Sequence, residues 1–196
     1  MATVVQRYSP AQAEPAIALL AEAFVSSPLH VSAFGPNRID LNRLFFRIGL
    51  RHMFSGQAFV ALRDGELQGY MHFNASPFCL PLPEEVPIAA ATILKPLGQA
   101  LPRIIPWFSR WCRLDPAEPH VHLGPIGVLP QAQRRGIGSA LMRRYIDHLE
   151  HERAAAYLET DRLENVEFYE KYGFAVQRHE RVIGAPVWYM WRPADR

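Results

Sequence analysis

Between Val121 and Ser139 a strand-like run, VHLGPIGV, passes through LPQAQRRGIGS straight into a helical pattern, and this junction constrains the chain more than any other stretch. Gly136 and Gly138 permit close backbone approach and unusual dihedrals, so successive N–H groups at the helix start can converge on an anion. Arg134 and Arg135 add positive charge beside that nest, and the helix dipole points its positive end the same way. A diphosphate is the natural guest. A bare Gly-x-Gly also serves as a plain tight turn, so the reading needs support elsewhere. The spacing is not that of a Walker P-loop, and Leu141 stands where a Rossmann fingerprint would place its third glycine.

The rest of the chain arranges itself around this junction. Residues 3–8 have strand character, and Ser9-Pro10-Ala11-Gln12 reads as a capping box opening a helix that runs to about Phe24. A second amphipathic helix fits 39–53 on Leu41, Leu44, Phe45 and Ile48, with Gly49 weakening its last turn. Asp64-Gly65 joins strands at 57–63 and 66–74 in a hairpin. Nine of the seventeen prolines fall in 77–119, and this segment reads as a pair of short, proline-broken helices carrying Trp107, Phe108 and Trp111. With the loop at His30–Asn37 it is expected to wall an acceptor pocket. The last third then alternates: strand 121–128, helix 138–151, strand 155–160, helix 165–172, strands 174–180 and 187–192. This implies one α/β domain over 1–196, a mixed sheet with helices on both faces, in which 121–128 and 155–160 run parallel.

Gln133-Arg134-Arg135-Gly136-Ile137-Gly138 resembles the Gln/Arg-x-x-Gly-x-Gly/Ala signature of the GNAT acetyltransferases, and Asn165-Val-Glu-Phe-Tyr169-Glu-Lys-Tyr-Gly173-Phe174 is similar to their second signature. Leu158-Glu-Thr160, Asn165 and Trp188 look particularly like the puromycin N-acetyltransferase group. The resemblance implies the splayed GNAT sheet and acetyl-CoA as donor. CoA would lie along the backbone of Ile126 and Val128, its diphosphate on Gln133, Arg134, Arg135, Gly136, Ile137, Gly138 and Ser139, with Asn165 near the thiol end. Asn165 also suits a helix N-cap. Pro125 fits the β-bulge at which such sheets open, and leaves the N–H groups of Ile126, Gly127 or Val128 as oxyanion donors.

Aminolysis of a thioester needs a neutral amine, an oxyanion stabiliser and an acid for the departing thiolate. By resemblance Tyr169 is that acid. Candidates for the base are Glu118, His72, His120, His122 and Glu159; Glu159, which matches the subgroup motif, comes first and His122 second. His120 and His122 share one strand face, Val121 and Leu123 the other. The expected acceptor is a primary amine on a small molecule. The alternatives are a peptide N-terminus or protein lysine, which needs an open groove, and a non-catalytic acyl-CoA-binding module, which has no need of Tyr169.

Composition narrows the rest. A formal charge of +2 with scattered arginines gives no case for nucleic acid. No window approaches the roughly 18 apolar residues of a membrane span, and the N-terminus lacks a basic start before an apolar run, so a cytoplasmic protein is expected. Cys79 and Cys112 read as reduced thiols, and no cysteine has a zinc-type partner, so no metal is expected. The exposed edge of a mixed sheet, expected at the C-terminal strand, fits a homodimer.

Overall fold

A computed structural model describes residues 3–54, 56–76 and 95–194. Seven strands form one sheet: β1 (Val4–Arg7), β2 (Gln57–Arg63), β3 (Glu66–Ala75), β4 (Val121–Val128), β5 (Ala156–Thr160), β6 (Ala175–Val182) and β7 (Ala185–Arg192), in the order β1-β2-β3-β4-β5-β7-β6. Only β4 and β5 are parallel. Against one face lie α1 (Ala13–Phe24), α2 (Pro28–Phe34), α3 (Ile39–Ile48) and α4 (Leu101–Leu114), whose Leu20, Phe46, Ile104 and Trp107 meet Val60, Tyr70 and Tyr189 of the sheet. Against the other lie α5 (Ile137–Glu152) and α6 (Leu163–Glu170), where Leu141, Tyr145 and Val166 meet Met71, Leu158 and Met190. Among the described residues no single helix is long and apolar enough to cross a membrane.

Local signals account for most boundaries. Ser9 N–H donates to Gln12 Oε1 at 2.9 Å, closing one half of the capping box over a 3-10 turn that leads into α1. Asp64 (φ 56°) and Gly65 (φ 82°) are both left-handed, as a two-residue hairpin turn requires.

Five expectations need correction. The C-terminal strand β7 lies between β5 and β6 and is not an edge of the sheet. Residues 28–34 are helical, not loop, with Leu29, His30, Ala33 and Phe34 buried. The helix expected over 39–53 ends at Ile48 and widens into a π-type turn at Gly49–Met53, where a Cβ on Gly49 would come within 2.7 Å of the Phe54 ring. In the proline-rich segment, 77–94 lie outside the described residues, a 3-10 stretch covers Lys95–Ala100, and α4 runs unbroken through Pro106. That proline removes the bond to the Pro102 carbonyl and costs about 3 kcal/mol; burying Ile104, Trp107 and Phe108 at roughly 1.5–3 kcal/mol each outweighs it. Finally, Arg162 and not Asn165 caps α6.

The feature that positions the site is a split in the sheet. β4 and β5 pair only at Val121↔Ala156 and His122↔Tyr157, although both strands continue. On the other side of β4, Met71 faces Ile126 and Phe73 faces Leu123, so Gly124 and Pro125 together oppose His72. This is the bulge expected at Pro125. An extra residue bends the strand, and proline offers no N–H to hold it to a neighbour, so β4 turns away from β5.

His30 makes one part of this core sensitive to acid. Its Nδ1 lies 2.6 Å from Asn42 Oδ1, and its ring stacks on Phe46 (5.5 Å) among Phe24, Phe45 and Trp107. Burial pushes its pKa down to about 4, against the opposing pull of Asn42 and Asp161. Between about pH 6.5 and 4 the unfolded chain therefore takes up a proton that the folded chain refuses, so stability falls as pH falls through that window. The expected loss is of order 3 kcal/mol. Denaturant titrations at pH 7 and pH 4.5 should show it in the wild type and not in His30→Gln; parallel slopes in the two proteins would remove His30 as the cause.

Candidate active site

The turn after β4 forms a nest at the mouth of the split. Arg134 (φ 60°) and Gly136 (φ 81°) take left-handed conformations, and the first helical bond of α5 is Ala140 N–H to Gly136 O at 2.9 Å. The N–H groups of Ile137, Gly138 and Ser139 thus precede the intrahelical ladder and lie at the positive end of a 16-residue helix. Ile137 buries its side chain and anchors the first turn, while Arg134, Arg135 and Gly136 are exposed and Ser139 is half-buried. Gln133 Nε2 donates to Val128 O at 3.2 Å, tying the turn to the end of β4. A Cβ on Gly138 would meet Phe168 at 3.6 Å and Val128 at 3.9 Å, so the nest lies between the end of β4 and helix α6.

At the apex of the split stands a buried cluster of titratable groups. His122 Nε2 lies 2.8 Å from Glu159 Oε2, and His122 Nδ1 lies 3.2 Å from Asp115 Oδ1. His120 Nε2 approaches the same Asp115 oxygen at 3.5 Å. Burial would raise the Asp115 carboxyl, but when both histidines are protonated and donate to it their hydrogen bonds prevail and hold it well below the usual carboxylate range. The Glu159 side chain is only 2% exposed; its Oε2 is taken by His122, whereas its Oε1 has no hydrogen-bond partner among the described residues. A buried carboxylate oxygen without a donor awaits one. One turn before Asp115, the free thiol of Cys112 is pushed up to about 11 by burial and then by the Asp115 charge. Cys79 lies outside the described residues.

On α6, Tyr169 is buried against Phe168 and Phe174, and burial followed by the Asp161 charge raises its hydroxyl well above the ordinary tyrosine value. Asn165 Nδ2 donates to Thr160 Oγ1 at 3.1 Å. Asp161 accepts hydrogen bonds from Ser27 Oγ and from Leu29 N–H (2.8 Å), and Arg162 Nη2 donates to Ser26 O at 2.6 Å, so the α1–α2 corner is clasped to the end of β5. A cavity of about 250 Å³, lined by Tyr8, Leu50, Phe54, Tyr70 and His72 among others, opens on the α1–α4 face. His72 joins it to the bulge: a Cβ on Gly124 would lie 2.7 Å from His72 Nδ1.

Residues 28–174 match the acetyltransferase (GNAT) family. The chain belongs to that family and is an acetyl-CoA-dependent N-acetyltransferase. Solved structures share the GNAT fold over nearly the whole chain. The "histone acetyltransferase HPA2 and related acetyltransferase" of Corynebacterium glutamicum has a TM-score of 0.75 at 22% identity, covering 100% of this chain and 98% of that one. The polyamine N-acetyltransferase of Drosophila melanogaster, which forms N-acetylagmatine, has a TM-score of 0.68 at 16% identity over 97% and 99%. The ribosomal-protein-S18-alanine N-acetyltransferase of Escherichia coli has 0.60 at 15% over 100% and 96%.

Within this GNAT chain the structure sorts the residues singled out from sequence. Ile126 and Val128 lie on the arm of β4 beyond its last pairing with β5, opposite Met71 and Gly69 of β3. Glu159 and His122, read from sequence as rival bases, are one hydrogen-bonded pair. His120 stands behind Asp115, and the exposed Glu118 contributes only its backbone carbonyl, which lies 2.7 Å from His120 Nδ1. Asp115 and Asp161 were not anticipated. Asp161 acts on Ser27 and Leu29, distant along the chain, whereas Asp115 lies only a few residues before His120 and His122 and is marked by no motif.

Proposed function

We propose that this enzyme transfers the acetyl group of acetyl-CoA to a primary amine of a small molecule, by direct attack on the thioester within the split between β4 and β5. The observation that carries this reading is the unpartnered Oε1 of Glu159, buried at the apex of that split. The amine nitrogen adds to the acetyl carbon and its proton passes to Glu159, directly or through one water, while His122 holds the other carboxylate oxygen. The C–S bond then breaks, and the thiolate takes a proton from Tyr169. N–H groups along the diverging arm of β4, Ile126 to Val128, serve the oxyanion. Support for a small acceptor comes from the cavity beside His72, whose roughly 250 Å³ and aromatic walls suit a compact amine better than an extended peptide. A panel of small amines and peptides with acetyl-CoA, followed by release of free thiol, tests it: turnover with peptides alone would overturn the acceptor class.

The donor side makes its own prediction. Gly138 is helical and has ordinary room for a Cβ, so Gly138→Val should fold, yet its branched side chain would stand at the head of the nest. Calorimetry should show acetyl-CoA binding weakened about tenfold or more, equivalent to roughly 1.4 kcal/mol. Gly136→Val adds strain at φ 81° and should bind more weakly still. Unchanged affinity in a folded Gly138→Val would remove the diphosphate from this turn.

A further inference from the structure

Sequence spacing shows no zinc motif, but the fold gathers Asp115, His120 and His122 so that one ligand atom from each lies within 4.8 Å of the others. These three side chains are 16%, 0% and 8% exposed. The decisive point is where the outer nitrogens point. His120 Nδ1 lies 2.7 Å from the Glu118 carbonyl oxygen, which can only accept, so that nitrogen carries its proton. His122 Nε2 lies 2.8 Å from a carboxylate oxygen of Glu159, another acceptor, and carries its proton for the same reason. In the neutral tautomers this leaves lone pairs on His120 Nε2 and His122 Nδ1, and both face Asp115 Oδ1, at 3.5 and 3.2 Å.

Two imidazole nitrogens and a carboxylate oxygen converging in a buried space are a donor set that one cation can share. Tetrahedral zinc, with bonds of about 2.0–2.2 Å to nitrogen and oxygen, sets neighbouring ligand atoms about 3.3–3.5 Å apart, close to the two separations found here. The outer contacts complete the pattern. Histidines that bind a metal donate their other ring N–H to a carbonyl or carboxylate, which fixes the tautomer and orients the ring.

We propose that Asp115, His120 and His122 form a binding site for a divalent transition metal of the zinc type, with a fourth position open to water, which ties the C-terminal end of α4 to β4. The site takes nothing from the acetyl-CoA nest or the amine cavity and shares only His122 with the Glu159 pair, so metal binding is measured independently of the acceptor.

The test uses the full-length protein stripped with chelator and then given Co²⁺ or Zn²⁺ alone. One equivalent of Co²⁺ should produce the intense visible bands of tetrahedral cobalt, Zn²⁺ should displace it, and Zn²⁺ should raise the melting temperature. Asp115→Asn and His120→Gln should each weaken metal binding at least about tenfold and lose the thermal shift, with metal-free melting curves confirming that they fold. A His148→Ala/His151→Ala variant, altering histidines of α5 outside the cluster, should bind as the wild type does. No tetrahedral cobalt spectrum, or equal affinity in wild type and Asp115→Asn, would overturn the proposal and leave protons as the only cations in this cluster.

Discussion

Glu159→Gln is expected to lower turnover by roughly 10²- to 10⁴-fold while leaving acetyl-CoA affinity nearly unchanged. Glutamine preserves the shape of the side chain, and its amide oxygen can still accept from His122, so the local packing survives. The loss is the negative charge and the basic oxygen, Oε1, that has no partner among the described residues. A carboxylate buried to 2% exposure is costly to maintain, and neutralising it should hold or raise the melting temperature, which sets a catalytic loss apart from unfolding. The pair should also act as a unit. If His122 works by holding Glu159, then His122→Asn combined with Glu159→Gln should be little worse than Glu159→Gln alone, because groups that act together are not additive. Turnover in Glu159→Gln above about half that of the wild type would exclude Glu159 as the base.

Legibility in the sequence followed the range of the interactions. The turn at Gln133–Gly138, the Asn165–Phe174 block and the Asp64-Gly65 hairpin are local devices, each specifying its own backbone, and all were readable. Helix α2 was not. Its Ser27-Pro28 start is a local signal, but seven residues are too few to display a helical period, and the Leu29 N–H donates to the Asp161 carboxylate, 132 residues beyond. The apex of the split was readable only in pieces. Residue type and motif picked out His122 and Glu159 separately; the two-residue pairing of β4 with β5 is what places them 2.8 Å apart. Asp115 caps α4, which continues through Pro106 where the proline count implied a break, and meets His122 seven residues on. The donor side of the site was thus legible because a helix start and its loop suffice to build it. The cavity proposed for the acceptor is lined from β1, the turn after α3, β2 and β3, and it had no single stretch to betray it.

Tyr169→Phe is expected to reduce turnover by a similar roughly 10²- to 10⁴-fold, for the opposite end of the reaction. The hydroxyl is buried, and burial together with the Asp161 charge raises its pKa above the ordinary tyrosine value. A raised pKa makes tyrosine a poor acid toward a thiolate in water, whose reference pKa is about 8.5. If the thiolate departs beside this buried hydroxyl, as proposed, desolvation raises its proton affinity as well. The hydroxyl then donates a hydrogen bond that strengthens as the C–S bond breaks, and the proton moves when the sulfur carries full charge. Phenylalanine keeps the edge contacts with Phe168 and Phe174, so the melting temperature and acetyl-CoA affinity should change little. The discriminating measurement is the dependence on the leaving group: a thioester of a more acidic thiol needs less help, so the deficit of Tyr169→Phe should shrink with it. A constant deficit across thioesters, or turnover above about half of wild type with acetyl transfer rate-limiting, would remove Tyr169 from the proton's path.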